Sequence, residues 1–444
     1  MPTASLIATL QSALGEEPAN PLCVAFSGGP DSTALLHVLA QIKEARAIGL
    51  RALHVDHGLH PDSSAWARHC VAFCTALHVP LTVVRATVHR DSGEGIEAAA
   101  RAARYTAFAA NLRAGEWLVL AHHRDDQIET VLLKLLRGAG PEGLGGMRKL
   151  RPLGAGSLWR PLLETPREDI TSYLILNNIK AIDDPSNRDQ NLTRNWLRHT
   201  LLPIIQQRQP NAGAAILHAA DLCRTAANYM AAVATAAGAT LTGADGTLEA
   251  AGWLALPAAL RAPVLDAWLR TRHLPPPPDR ARAELASQIA HAAIDRVPTV
   301  GWASAEVRIW RGRLYASPPL QPVPADWNAR WDGTPLVLPT NAGTLSLLPN
   351  DHARTTSRPS FDSPLTVRFS RPGERLLLAR NGHHHLLSEL LRNAGLPPWW
   401  RARCPLIHAG AELLAAGDVV ISAAGERTFA ALGVRPCWQR SADV

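Results

Sequence analysis

The stretch that most constrains the fold covers residues 22–33 and reads Leu-Cys-Val-Ala-Phe-Ser-Gly-Gly-Pro-Asp-Ser-Thr. The apolar residues 23–26 are typical of a short buried strand, and leucines at helical spacing after residue 31 indicate a helix. Between them lies a turn with two glycines. In this order of strand, glycine-rich turn and helix, the free backbone N–H groups of the first helical turn point to the space above the glycine turn. The positive end of the helix dipole points to the same space. The pattern therefore predicts an α/β domain that binds an anion above this turn.

The composition of the turn favours phosphate as the anion. Gly28 and Gly29 have no Cβ, so a phosphate can approach the backbone closely. Ser27 and Ser32 add hydroxyl donors. Asp31 would repel the phosphate unless its carboxylate holds a Mg²⁺ ion that the phosphates also bind. The spacing is not that of the Walker loop, because no Gly-Lys-Ser/Thr follows. The alternative is a tight strand-to-helix turn with a serine N-cap.

A polar pair follows the second predicted strand, residues 50–55. At the carboxyl end of a parallel strand, a polar side chain faces the crevice in which open α/β sheets bind ligands. We therefore expect Asp56 or His57 to contact the adenosine of a bound nucleotide. The alternative is a turn that Asp56 caps.

Polar residues also follow the fourth predicted strand, residues 117–121, in the run His-His-Arg-Asp-Asp-Gln-Ile-Glu-Thr. A simple helix cap needs only one acid, so three acids within five residues favour a magnesium site. If the strand order is 3-2-1-4, Asp126 lies beside the first turn and shares the metal ion with Asp31. Zinc at His122 and His123 is the alternative, although no third ligand at suitable spacing appears.

Two pairs of arginines stand at helical spacing near these segments. Arg101 and Arg104 share a predicted helix face with Glu97, while Arg194 and Arg198 lie one turn apart. Such residues either form solvated surface pairs or neutralise phosphates. The local spacing does not decide between these interpretations.

Composition limits the class of protein. A chain of 444 residues is too long for one core and predicts two or three domains. The net charge of +7 and the isoelectric point near 9.4 favour a polyanionic partner. The six cysteines form no C-x-x-C pair, which disfavours a zinc or iron–sulfur site. No apolar run suits a membrane span and no secretory signal is visible, so we expect a cytoplasmic protein.

The C-terminal half has fewer catalytic signals. Residues 211–320 are predicted to be mainly helical, with one strand over 307–315. The proline-rich residues 317–324 read as a linker, and a β-rich region follows. Arg371 and Arg375 lie in a basic turn, and Arg401 follows two tryptophans, of which at least one is expected to pack in the core. The predicted domains are residues 1–208, 209–320 and 325–444.

Several motifs occur together and in order between residues 24 and 203. They are the glycine turn, His54-Val-Asp-His-Gly-Leu59, Glu97-x3-Arg101-x2-Arg-Tyr105, the acidic run 121–130, Asp184-Pro-Ser-Asn187 and Arg194-Asn-x2-Arg198. This set resembles the tRNA(Ile)-lysidine synthetases, a family of N-type ATP pyrophosphatases. The C-terminal half, with Arg371-Pro-Gly-Glu374 and Pro397-Pro-Trp399, resembles the two domains with which the longer members hold tRNA.

The resemblance implies a fold and a reaction. The fold is a doubly wound parallel-sheet ATP pyrophosphatase domain, followed by a helical domain and a small α+β domain. The reaction adenylates O2 of the wobble cytidine of a tRNA(Ile) with a CAU anticodon, and free L-lysine then displaces AMP. ATP and Mg²⁺ are the expected cofactors, and a homodimer is retained as a hypothesis.

The resemblance also assigns residues to roles. The catalytic residues are Asp31, Asp126 and Arg194, of which Asp31 and Asp126 hold the metal ion. The residues expected to contact ATP are Ser27, Gly28, Gly29, Pro30, Asp31, Ser32, Asp56 and His57. The residues expected to contact tRNA are Arg101, Arg104, Arg198, Arg371, Arg375 and Arg401. Lysine needs an acidic pocket, for which Glu97 and Glu129 are candidates.

Three alternatives stay open. A tRNA thiolase of the same superfamily would share the loop but usually has paired cysteines. A glutamine-dependent ligase would need a glutaminase with a nucleophilic cysteine. A tRNA-binding protein that has lost catalysis would not need the intact set of Asp31, Asp126 and Glu129.

Overall fold

The computed structural model describes residues 2–17, 20–58, 60–88, 96–184, 193–291, 297–349, 361, 365–371, 373–378 and 383–441. The chain forms two compact units, residues 1–229 and 230–444. In the described part of the chain, no helix is both long and apolar enough to cross a bilayer. The predicted boundaries of three domains remain predictions.

The first unit alternates strands and helices. Its strands are β1 (Leu22–Ala25), β2 (Leu50–Asp56), β3 (Leu81–Arg85), β4 (Trp117–Val119), β5 (Leu150–Leu153) and β6 (Gly156–Trp159). Its helices are α1 (Pro2–Gly15), α2 (Pro30–Gln41), α3 (Lys43–Ala47), α4 (Ser63–Ala76), α5 (Ile96–Asn111), α6 (Arg124–Leu136), α7 (Pro141–Leu144), α8 (Arg167–Leu176), α9 (Thr193–Trp196) and α10 (Leu202–Arg208). A π-helical turn, Leu197–Leu201, joins α9 to α10, and α11 (Ala212–Leu241) follows.

The six strands form one sheet in the order β3-β2-β1-β4-β6-β5. All neighbours are parallel except β5, which pairs antiparallel with β6. This order contains the arrangement 3-2-1-4, which is the condition under which Asp126 was expected to lie beside the first turn. Because β1 pairs in parallel with β4, with Val24 opposite Val119, the segments that follow both strands leave the sheet side by side. The chain order reverses between these strands, which is where open α/β sheets bind ligands.

Both faces of this sheet are covered. On one face, Val24 belongs to a core that is covered by α1, α2 and α8. On the other face, the preceding residue, Cys23, belongs to a core with Phe108 of α5 and Leu118 of β4. Alternate residues of a strand point to opposite faces, so a strand covered on both sides is apolar throughout. That is why residues 22–25 show no polar alternation, and it confirms the predicted α/β class.

The second unit contains helices and four antiparallel sheets. Its helices are the end of α11, then α12 (Ala250–Ala255), α13 (Ala258–Arg270), α14 (Asp279–His291), α15 (Leu387–Asn393), α16 (Pro398–Arg401) and α17 (Ala423–Ala431). Its strands are β7 (Leu248–Glu249), β8 (Thr299–Trp302), β9 (Ala305–Trp310), β10 (Arg313–Ser317), β11 (Asn328–Trp331), β12 (Leu336–Leu338), β13 (Gly343–Pro349), β14 (Leu365–Phe369), β15 (Arg375–Leu377), β16 (His384–Leu386), β17 (Pro405–Ala409), β18 (Glu412–Ala416), β19 (Val420–Ile421) and β20 (Val434–Gln439). The sheets have the orders β7-β10-β9-β8, β11-β14-β17-β18-β19, β12-β13-β20 and β15-β16.

One sequence prediction differs from the structure in this unit. The strand predicted over 307–315 is a hairpin, in which β9 and β10 are joined by a turn at Arg311 and Gly312. The proline-rich segment 317–324, predicted to be a linker, has no regular secondary structure after Ser317, and its role as a linker stays a prediction. The backbone N–H of Leu320 donates to Glu306 Oε1 over 2.9 Å, and the Leu320 side chain lies against the C-terminal core.

A buried ion pair links the amino-terminal ends of β2 and β4 in the first sheet. Arg51 donates through Nε and Nη2 to the two carboxylate oxygens of Glu116, each over 2.6 Å, and Glu116 is 1% exposed. Glu116→Ala would leave the Arg51 charge buried without a counter-ion, with only the Asn111 carbonyl as a hydrogen-bond acceptor. We expect a loss of about 3–5 kcal/mol in the free energy of unfolding, measured by urea titration with tryptophan fluorescence.

The exposed pair between Lys149 and Glu16, 3.1 Å apart, supplies the control. Lys149→Ala should change the free energy of unfolding by less than about 1 kcal/mol, because solvent screens the pair. Equal effects of the two substitutions would contradict the assignment of a structural role to the buried pair.

Candidate functional site

The glycine turn between β1 and α2 is tied together by its own serines. The Oγ atoms of Ser27 and Ser32 lie 3.0 Å apart, and the Gly29 N–H donates to Ser27 Oγ over 3.3 Å. Gly29 is the N-cap of α2 and Pro30 its first residue, where proline suits the helix. The N–H groups of the first helical turn have no helix carbonyl to bind. The two hydroxyls thus brace the turn, and the amide end of α2 is available to an anion.

The two glycines serve different purposes. Gly28 has φ +82°, and a Cβ there would overlap Ile182 Cδ1 and lie 3.0 Å from Cys70 Sγ. The Ile182 N–H also donates to the Gly28 carbonyl over 2.9 Å. Among the described residues, a Cβ on Gly29 would meet only Ser27 Oγ, at 3.5 Å. The sequence argument that both glycines admit a phosphate therefore needs correction, because protein already fills the space beside Gly28.

The acidic segment after β4 meets this turn at one histidine. His123 is fully buried, and its Nε2 lies 3.7 Å from Asp31 Oδ2 and 3.5 Å from Asp126 Oδ2. Its Nδ1 accepts the Asp126 N–H over 3.3 Å as the N-cap of α6. A nitrogen that accepts carries no proton, so the ring proton lies on Nε2 and faces both carboxylates. The two aspartates predicted to share a metal ion thus contact the same ring atom.

The charge on Asp31 is favoured by its surroundings. Burial opposes ionisation, but contact with His123 and the charges of Arg167 and Arg198 outweigh it and hold the pKa of Asp31 below its ordinary value. The side chain of Asp31 is 32% exposed and that of Asp126 is 13% exposed. The surroundings therefore favour the ionised form of Asp31, and both carboxylates are reachable from solvent.

Two arginines surround a buried acid beside the aspartates. Glu129 accepts from Arg194 Nε over 3.1 Å and from Arg198 Nε over 2.6 Å, and its side chain is 1% exposed. Arg198 Nη2 also donates to Asp126 Oδ1 over 3.2 Å. The two arginines point the same way, as their spacing predicts. They bind acidic side chains here, so they neutralise Glu129 and orient Asp126.

The remaining polar residues of this segment have protein partners. Asp125 Oδ2 accepts the Arg167 N–H over 3.0 Å at the start of α8. Nδ1 of His122 accepts from Arg160 Nε over 3.1 Å. Among the described residues, no group of three His, Cys, Asp or Glu side chains that could bind a metal ion occurs.

A cationic face of α5 lies near the carboxyl ends of the strands. The ring of Tyr105 lies between Arg101 and Arg151, whose Cζ atoms are 5.0 and 5.4 Å from its centroid. Burial lowers the pKa of His57, and the positive charge of Arg104 lowers it further. Arg151 and Arg160 are not among the site residues that the sequence predicts. Arg160 could have been found, because it immediately follows β6 and so lies at the carboxyl end of a strand. The side chain of Glu97 and residues 185–192 lie outside the described part of the chain.

Other predicted contact residues lie elsewhere. Asp56 Oδ1 accepts the Gly58 N–H over 2.8 Å, which is the capped turn considered as the alternative. In the second unit, Arg371 follows β14, Arg375 begins β15, and Arg401 Nε donates to the Leu396 carbonyl over 2.8 Å. Their roles toward ATP and tRNA remain predictions.

Both tryptophans that precede Arg401 are buried. Trp399 is 9% exposed and Trp400 is 6% exposed. This confirms the expectation that at least one of them packs in the core, and the structure buries both.

Comparison with known proteins identifies the relatives of this chain. Residues 2–205 match a PP-loop domain, residues 248–315 a TilS substrate binding domain, and residues 365–438 a TilS substrate C-terminal domain. A tRNA(Ile)-lysidine synthase from Xanthomonas axonopodis is 45% identical over 428 residues, which is 96% of each chain. The chain belongs to the tRNA(Ile)-lysidine synthase family. The family member from Salmonella paratyphi B is 36% identical, with 91% of this chain and 93% of the relative covered.

A solved structure of a different activity is also similar. It is the U34-tRNA thiolase NcsA from Methanococcus maripaludis with its [4Fe-4S] cluster, at 14% identity and a TM-score of 0.42 over 50% of this chain and 79% of that chain. This likeness is too low to carry an argument about the lysidine synthase family.

The two glycines of the turn separate folding from binding. Gly28→Ala should destabilise the fold by about 1–2 kcal/mol or more, because φ is positive and Ile182 blocks the Cβ. Gly29→Ala should cost about 1 kcal/mol or less and instead weaken ATP binding, since its Cβ would lie on the open side. Thermal unfolding and ATP calorimetry measure the two effects, and a Gly28→Ala variant as stable as the unmodified protein would contradict this division.

His122 makes the stability depend on pH. Burial, opposed by Asp126 and reinforced by Arg160 and Arg194, lowers the pKa of His122 to about 3. The unfolded chain takes up a proton on this ring near its ordinary pKa of about 6.5, whereas the folded chain does not. The buried neutral ring of His122 therefore does not reduce the free energy of unfolding above about pH 6.5. Between about pH 6.5 and pH 3 the free energy of unfolding falls as the pH falls, because only the unfolded chain takes up the proton.

His122→Asn keeps an acceptor for Arg160 but removes the titration. The free energy of unfolding should then fall less steeply between about pH 6.5 and pH 4.5 than in the unmodified protein. Urea titrations at several pH values test this, and parallel curves for the two proteins would refute it.

Proposed function

We propose that this chain ligates lysine to C2 of the wobble cytidine in the CAU anticodon of tRNA(Ile), with conversion of ATP to AMP and diphosphate, and so forms lysidine. Relatives of the same family over nearly the whole chain support this assignment over the thiolase alternative. The observation that carries it is the contact of Asp31 and Asp126 with one histidine nitrogen beside the phosphate-type turn.

The chemistry requires activation of a poor leaving group. Attack by cytidine O2 on the α-phosphate of ATP forms a C–O–P bond and releases diphosphate. The ε-amine of lysine then adds at C2, the C–O bond breaks, and AMP leaves. The target base lies in an anticodon loop, from which it can be turned out at low cost. The protein must therefore neutralise charge at the phosphates and position three substrates.

The described residues suit these tasks. The amide end of α2 and the hydroxyls of Ser27 and Ser32 lie where the triphosphate would bind. Asp31 and Asp126 fit Mg²⁺, because they are carboxylates that solvent reaches, and magnesium commonly takes one or two carboxylates together with phosphate oxygens. Bound there, the ion would neutralise charge on the diphosphate. Arg198 and Glu129 hold Asp126 in place.

The assignments to lysine and tRNA rest on charge. Arg101, Arg104 and Arg194 suit phosphate groups of ATP or RNA. Glu129, one of two candidates for lysine binding, has both carboxylate oxygens engaged by arginine. A homodimer and a cytoplasmic location remain predictions.

Asp31→Ala tests the proposed centre. We expect formation of AMP that depends on lysine and tRNA to fall by about a hundredfold or more, with an unchanged circular dichroism spectrum and thermal transition. Activity is measured with labelled lysine, ATP and transcribed tRNA(Ile). Asp125→Asn is the matched control, since an amide oxygen can still accept the Arg167 N–H. Full activity of Asp31→Ala would remove Asp31 from the centre.

ATP–diphosphate exchange separates an enzyme from a tRNA-binding protein without catalysis. Exchange in the unmodified protein should require added tRNA(Ile), because the cytidine is the group that is adenylated. Tight tRNA binding without any exchange would overturn the proposed reaction.

A further inference from the structure

Two backbone carbonyl groups of the glycine turn are held by side chains from outside the turn. The Phe26 carbonyl accepts from His54 Nδ1 of β2 over 2.8 Å. The Gly28 carbonyl accepts from Thr33 Oγ1 of α2 over 3.0 Å and from the Ile182 N–H over 2.9 Å. Because His54 is 6% exposed and Thr33 is fully buried, both carbonyls point into the protein. We call His54 and Thr33 the carbonyl anchors.

The imidazole of His54 takes the place of a backbone donor. β1 ends at Ala25, and the Phe26 N–H still donates to the Leu53 carbonyl over 2.9 Å. In a continuing parallel ladder, the Phe26 carbonyl would next accept a backbone N–H of β2. It accepts His54 Nδ1 instead, and this nitrogen carries the ring proton because a carbonyl cannot donate. The side chain therefore lets the main chain leave the sheet after Phe26 without an unsatisfied buried carbonyl.

The carbonyl anchors also set the direction of two N–H groups. A peptide unit is planar, so a carbonyl that is held on one side fixes the N–H of the next residue on the other side. The N–H of Ser27, in the unit with the Phe26 carbonyl, donates to Ser32 Oγ over 3.3 Å. The N–H of Gly29, in the unit with the Gly28 carbonyl, donates to Ser27 Oγ over 3.3 Å. The hydroxyl contacts that brace the turn therefore depend on the carbonyl anchors.

Three N–H groups remain for a ligand. Among the described residues, the N–H groups of Gly28, Asp31 and Ser32 have no hydrogen-bond acceptor. Successive N–H groups of this kind form a concave site that suits an anion. Such a site needs its carbonyl oxygens turned away, because a carbonyl oxygen that pointed into it would repel a phosphate. The carbonyl anchors meet this need at Phe26 and Gly28.

Each anchor also has a simpler explanation. A buried carbonyl needs a donor whatever the function of the protein, so the anchors could serve stability alone. That explanation predicts that their removal lowers stability and leaves the affinity for ATP unchanged. It does not account for the convergence of side chains from β2 and α2 on two peptide units of the one turn that is built to receive an anion.

We propose that His54 and Thr33 are positioning residues for ATP, which hold the glycine turn in the form that receives the triphosphate. Both act through backbone carbonyls rather than by contact with ATP. The proposal rests on the proposed function, which supplies ATP as the ligand of this turn. His54 opens a motif in which the sequence predicts only Asp56 or His57 to serve ATP, and Thr33 lies outside the predicted site.

The test is the Kd for ATP in the presence of Mg²⁺, measured by calorimetry on the full chain. His54→Leu removes the donor and should raise this Kd about tenfold, because the Phe26 carbonyl then loses its partner and the turn is free to reorient. His54→Asn keeps an N–H donor near the position of Nδ1, so its Kd should stay within about threefold of that of the unmodified protein.

Thr33 supplies an independent pair of variants. Thr33→Val keeps the shape of the side chain and removes the hydroxyl. Its Kd for ATP should rise by only about threefold, because the Ile182 N–H still donates to the same carbonyl. Thr33→Ser keeps the hydroxyl and is the matched control, with a Kd close to that of the unmodified protein.

Two further measurements separate positioning from stability. At saturating ATP, lysidine formation by His54→Leu should proceed within about twofold of the unmodified rate, so that the loss appears in the KM for ATP and not in kcat. The Kd for tRNA(Ile) in the absence of ATP should not change, whereas a general loss of structure would weaken the binding of both substrates.

The outcomes decide the proposal. An ATP Kd of His54→Leu equal to that of the unmodified protein, an equal loss in His54→Asn and His54→Leu, or an equal loss of tRNA affinity would each overturn it. If His54→Leu does not fold, equal ATP Kd values for Thr33→Val and Thr33→Ser overturn it instead. Failure of the proposed function is separate, because it would show as absent lysidine formation in an unmodified protein that binds ATP.

Discussion

The parallel pairing of β1 with β4 is the constraint on which the site depends. The pairing puts the carboxyl ends of two strands next to each other, although their residues are almost a hundred positions apart in the chain. The turn after β1 offers backbone N–H groups, and the segment after β4 offers carboxylates. The proposed binding of a metal ion together with a triphosphate would need both segments. His123 marks the contact, since one buried ring atom faces an aspartate from each segment.

Two buried acids of the first unit are compensated by arginine. Glu129 has two arginines, and Glu116 has a bidentate partner in Arg51. Removal of an arginine would leave a charge in a medium of low dielectric, so both acids need their counter-ions. Arg160, which is also buried, instead donates to His122 Nδ1 and to the Arg148 carbonyl.

Sequence reasoning succeeded where a local pattern has one structural meaning. The apolar run before the glycines, the acids after the fourth strand and the arginines one turn apart all lie where spacing predicts, and the strand order is as expected. It failed where a distant residue decides. Gly28 is needed because Ile182, which is far along the chain, occupies the Cβ position. No local pattern contains that partner.

The sequence by itself determined the class of fold, the phosphate-type turn and the acidic segment, because periodicity, glycine and proline act over a few residues. Tertiary structure alone decided that Asp31 and Asp126 share His123, that Glu129 is enclosed by arginines, and that His54 holds the Phe26 carbonyl. These contacts join residues that are far apart in the chain. Their geometry follows from sheet register and packing, and those depend on the whole unit rather than on any one segment.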